Sequence, residues 1–83
     1  MKKEDYEWLV KILASVVNAG ERGRDMTFSL THVGVGKGYE DWLLNVYAYK
    51  KGSTTEIEKH LQWMMNDKYF DSPEDIVKVV NAL

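Results

Sequence analysis

The stretch Met26-Thr27-Phe28-Ser29-Leu30-Thr31-His32-Val33 alternates larger apolar or aromatic side chains with small, mostly polar ones at a period of two. That is the pattern of a strand buried on one side. Gly34, Gly36 and Gly38 mark a turn after it, and a second strand is expected from about Glu40 to Tyr49. One antiparallel register brings the apolar faces together. It sets Met26 opposite Ala48, Phe28 opposite Val46, Leu30 opposite Leu44 and His32 opposite Trp42. The other face then pairs Thr27 with Tyr47, Ser29 with Asn45, Thr31 with Leu43 and Val33 with Asp41. A slip of one residue would mix the two faces, so the register is tightly specified.

Helices are expected on both sides of this hairpin. From about Glu4 to Ala19, Tyr6, Leu9, Val10, Leu13, Val16 and Val17 recur at helical spacing as one core-facing stripe, widened by Trp8 and Ile12. Glu4, Asp5 and Glu7 suit the positive end of the helix dipole, and Gly20 stands where a stop is expected. Downstream, Ser53-Thr54-Thr55-Glu56 reads as a capping box opening a helix to about Asn66, with Ile57, Leu61, Met64 and Met65 on its stripe. Ser72-Pro73-Glu74-Asp75 starts a last short helix facing inward through Ile76, Val79, Val80 and Leu83. The expected fold is a single α+β domain over residues 1–83: helix, two-stranded antiparallel hairpin, helix, short helix (αββαα), around one small core.

Eighty-three residues lie near the lower end of what folds alone, burying only roughly 60–65% of the surface of the unfolded chain. Aromatic content of 12%, including Trp8, Trp42 and Trp63, gives the small core large pieces in a chain without cysteine. The lack of cysteine excludes thiol chemistry and Cys-ligated zinc and fits a reducing compartment, so a cytoplasmic protein is expected. No apolar run approaches the roughly 20 residues that span a bilayer, so no membrane association is expected. Acids at Glu4, Asp5 and Glu7 replace the apolar segment a signal peptide needs after Met1-Lys2-Lys3. A net charge of −2 argues against a general nucleic-acid binder.

Catalytic readings fail at the level of spacing. His32 and His60 are the only histidines, and they carry no HExxH or comparable pattern. Ser15, Ser29, Ser53 and Ser72 sit in a helix, a strand and two caps, with no G-x-S-x-G elbow. Glu40 and Asp41 would face opposite sides of a strand and cannot share a proton. The Gly34-x-Gly36-x-Gly38 spacing joins two strands, whereas a phosphate loop joins a strand to a helix, so Lys37 is read as a hairpin-tip residue. No enzyme, cofactor or metal is expected.

Two features point to binding instead. Arg22, Arg24, Lys50 and Lys51 gather at one end of the hairpin beside Tyr47 and Tyr49, a pairing of cations and rings that can hold phosphates and stack bases. Leu43, Tyr47 and Tyr49 share the outward hairpin face, and Trp63 falls beside the stripe of its expected helix, where it either anchors a partner or belongs to the core. In addition, the edge from Met26 to Gly36 has no charge and no proline, the usual protections of an exposed strand. That edge is expected to be covered by a chain terminus, or to pair with a second copy or a partner strand.

In element order the chain resembles certain small phage-encoded inhibitors of bacterial defence nucleases, the anti-CRISPR proteins. Those inhibitors often present an acidic face that imitates nucleic acid; here Asp67, Asp71, Glu74 and Asp75 form a modest cluster offset by Lys68 and Lys78. The resemblance covers the whole chain as an outline and carries no residue role. It implies a non-catalytic inhibitor or regulatory protein that occupies a partner's surface. The alternative is a nucleic-acid-binding domain using the basic, aromatic end of the hairpin.

Overall fold

The hairpin forms in the expected register, from Met26 opposite Ala48 to Val33 opposite Asp41. The computed structural model describes residues 1–34, 41–66 and 69–83. Its elements are α1 (Lys3–Glu21), β1 (Met26–Val33), β2 (Asp41–Tyr49), β3 (Ile57–Met64) and α2 (Pro73–Ala82). The strands form one antiparallel sheet in the order β1-β2-β3. The remainder of the expected hairpin tip, with Gly36, Lys37, Gly38 and Glu40, lies outside the described residues.

The expected second helix is a strand, which corrects the αββαα order to αβββα. The reason lies in β2. Leu44, Val46 and Ala48 are buried, and a buried backbone must hydrogen-bond on both sides. A third strand supplies the missing partners, with Leu44 opposite Trp63 and Val46 opposite Leu61. Leu61 and Met65 share a helical face, but Leu61, Trp63 and Met65 also alternate, and only the strand turns Trp63 inward with them. Ser53 still makes the bonds of a helix cap, since its Oγ accepts from the N–H of Thr55 at 3.1 Å and of Glu56 at 2.9 Å. Here they close a turn between strands. Gly52 at φ +78 and the bond from Lys50 N–H to the Glu56 carbonyl (2.8 Å) bring the chain back along β2.

α1 runs one residue past Gly20, the expected stop, to Glu21, with Arg22 as its cap and Gly23 just beyond. Gly23, at φ +87, donates to the Gly20 carbonyl, and Arg24 N–H donates to the Ala19 carbonyl, both at 3.0 Å. These two bonds are a Schellman motif, which needs a left-handed residue at the position Gly23 holds. α2 begins as expected: the Ser72 side chain accepts from Asp75 N–H, with Pro73 in the first turn.

The core packs the two helices on one face of the sheet. Ile12, Leu44, Val46, Met65, Ile76 and Val80 are its largest fully buried side chains, with Trp63 beside them. α1 buries only one shoulder of its apolar arc. Ile12, Ser15 and Ala19 are buried and Trp8, Leu9 and Val16 pack against the core. Tyr6, Val10, Leu13 and Val17, expected on the core stripe, are instead exposed. Without Ser15, the nine apolar positions span about 200° at 100° per residue, twice what one packing face covers.

Candidate functional site

With both helices on one side, no helix or strand among the described residues covers the opposite face of the sheet. Strand alternation places Thr27, Ser29, Thr31 and Val33 of β1, Asp41, Leu43, Asn45, Tyr47 and Tyr49 of β2, and Ile57, His60, Gln62 and Met64 of β3 on it. Hydroxyls line it along β1, and apolar and aromatic side chains flank the Asn45–Gln62 pair on β2 and β3. Tyr47 stacks on His60, with ring centroids 4.2 Å apart and planes 10° from parallel. Asn45 Oδ1 accepts from Gln62 Nε2 at 3.0 Å and from His60 Nε2 at 2.8 Å, so the three side chains hold one another across the strands. Tyr49 Oη lies 3.4 Å from Thr27 Oγ1, within hydrogen-bond reach. These contacts fix the rings before any partner arrives, which lowers the entropy that binding must remove.

Leu43, Tyr47 and Tyr49 therefore stand where the sequence placed them, half-buried on a shared face. Trp63 does not join them. It lies on the inner face opposite Leu44, 5% exposed, because a strand at 57–64 turns it toward the core. Ile57, His60 and Met64 join the face unforeseen; they were read as helical. The pairing of Tyr47 with His60 needed the third strand to be recognised first.

The basic end is largely engaged. Arg24 forms an ion pair with Glu58 and reaches the Tyr49 carbonyl at 3.4 Å. Its hydrogen bond to Glu58, then its charge, hold the Glu58 carboxyl below the ordinary carboxylate range. Lys50 pairs with Glu56 at 3.3 Å, and Arg22 donates to the Val80 carbonyl near the end of α2 at 3.2 Å. Lys51 is exposed in the turn. Of the four cations expected to meet a phosphate chain, three have partners within the molecule.

The sheet edges differ. At β3, Asp71 closes on Gln62 from outside: its N–H donates to the Gln62 carbonyl and its carboxylate accepts from Gln62 N–H, both at 2.9 Å. At β1, the bond from Tyr49 N–H to the Asp25 carbonyl sets the alternation, which leaves the N–H groups of Phe28, Leu30 and His32 on the outer side. Among the described residues none makes a backbone hydrogen bond to that side, so the expected cover by a chain terminus is not found there.

The two histidines do not converge. His32 packs on Trp42 at 4.6 Å on the inner face, while His60 is on the outer face. Among the described residues no three His, Asp or Glu side chains gather where a metal ion could sit, and no helix is long and apolar enough to cross a membrane. A cleft of about 340 Å³ beside the start of α1 is lined by Met1, Lys2, Asp5, Trp42, Met65 and Asn66, without a histidine or a pair of carboxylates. Comparisons with models of protein families, with curated proteins and with solved structures found no match to this chain.

Proposed function

We propose that the chain is a non-catalytic protein-interaction module that acts by occupying a partner's surface through the open face of its sheet. In this reading it works as a small inhibitor or regulatory protein; the anti-CRISPR outline rests on two closing helices, of which the first is the strand β3, so the open face alone supports the reading. The observation that carries the proposal is the composition of that face. Leu43, Tyr47, Tyr49, Ile57 and Met64 share it with Thr27, Ser29, Asn45 and Gln62, none of them charged, and Asp41 at its end is buried. Pre-positioned tyrosines surrounded by neutral donors and acceptors are the anchors typical of protein interfaces.

The nucleic-acid alternative needs free cations near stacking rings. Arg24 and Lys50 are ion-paired and Arg22 is bonded to α2, which favours a protein partner over a phosphate chain. The test is recovery from lysate of the host cell with the tagged chain, with and without nuclease, beside a Tyr47→Ala variant. A specific protein that survives nuclease and is lost from the variant supports the proposal. Recovery that disappears with nuclease, or that Tyr47→Ala leaves unchanged, contradicts it.

A further inference from the structure

A second apolar surface lies on α1, away from the sheet face. Tyr6, Val10, Leu13 and Val17 are 61%, 52%, 45% and 54% exposed. At 3.6 residues per turn they fall within about 60° of one another, so they form a narrow stripe along most of the helix. Four large apolar residues aligned on one exposed helix face mark an interaction site rather than the scattered exposure of an ordinary surface.

We propose that this stripe pairs with the same stripe of a second copy, with the two α1 helices antiparallel about a two-fold axis. Three observations select that occupant. The spacing of the four residues, four then three then four, reads the same in both directions. An antiparallel copy therefore sets Tyr6 against Val17 and Val10 against Leu13, twice over, as an isologous interface requires. The flanking charges also match: Lys3 and Glu21 border the stripe at opposite ends of α1, and antiparallel pairing brings each Lys3 beside the other chain's Glu21. Neither residue has an ion-pair partner among the described residues. Finally, a net charge of −2 offers little repulsion between copies.

The chain has no cysteine, so single cysteines report the geometry cleanly. Sedimentation equilibrium of the full chain should show a monomer–dimer equilibrium. Leu13→Glu should raise its dissociation constant by about tenfold or more while circular dichroism and the unfolding midpoint stay near those of the wild type, since the side chain is outside the core. Lys3→Glu alone should weaken the dimer, and Lys3→Glu with Glu21→Lys should restore it. Under mild oxidation, Tyr6→Cys chains should cross-link to Val17→Cys chains but not to one another, because two copies of position 6 stand about 16 Å apart in the antiparallel arrangement. A chain that stays monomeric at millimolar concentration, a dimer indifferent to Leu13→Glu, or cross-linking of Tyr6→Cys to itself would each overturn the proposal. None of these outcomes bears on Tyr47 and the sheet face, so the two proposals stand or fall separately.

Discussion

Glu58 of the third strand meets Arg24, which precedes the first, across the end of the strand between them. The ion pair ties both outer strands together at the end where the sheet is irregular, between Ala48 and Tyr49. Because the Glu58 carboxyl is held below its ordinary range, its contribution is fully present above the pKa of an unfolded glutamate. It is lost as pH falls through the depressed value. Urea unfolding from neutral to acid pH should show this loss, and Glu58→Gln should flatten that part of the curve. An unchanged pH profile in the variant would remove the pair from the stability of the fold.

Asp71 should act as the guard of the second edge. Asp71→Ala removes the acceptor for Gln62 N–H, and a lost hydrogen bond of this kind costs about 1 kcal/mol. Amide exchange at Gln62 should accelerate in the variant. On the opposite edge, the amides of Phe28, Leu30 and His32 should exchange quickly in the wild-type monomer while Thr27, Ser29 and Thr31 exchange slowly. Uniform protection along 26–33 in the monomer would mean that the first strand is covered after all.

Truncation should separate the core from the proposed face. Leu44→Ala is expected to cost about 2–5 kcal/mol and Trp63→Ala about 3–5 kcal/mol in urea unfolding, because each leaves a cavity against the helices. Val10→Ala and Leu13→Ala, on the exposed side of α1, should each cost far less. A large loss at Leu13 in the monomer would place that residue in the core.

These contrasts show where the sequence was readable. The hairpin register was legible because β1 and β2 each bury one face, and only one alignment joins Phe28, Leu30, Leu44 and Val46. The last helix was legible from its Ser72-Pro73 start. The third strand was not, because Ile57, Leu61 and Met65 satisfy a helical period while Leu61, Trp63 and Met65 satisfy a strand period, and Ser53 makes cap-like bonds in either case. Tertiary pairing with the buried centre strand decided it. The exposed stripe of α1 was hidden for a related reason: an apolar arc of about 200° does not say which shoulder faces the core. At the candidate face, Tyr47 and Tyr49 followed from the hairpin alone, whereas His60, Ile57 and Met64 depended on the unrecognised strand.

The claim that the open sheet face is the binding surface is tested most directly by methyl resonances. Isotope-labelled chain would be titrated with the protein partner recovered after nuclease treatment. The methyls of Leu43, Ile57 and Met64 are expected to shift or broaden on binding, with those of Val10, Leu13 and Val17 unchanged. Perturbation confined to residues around Arg22 and Lys51, or to α1, with the sheet-face methyls unmoved, would contradict it.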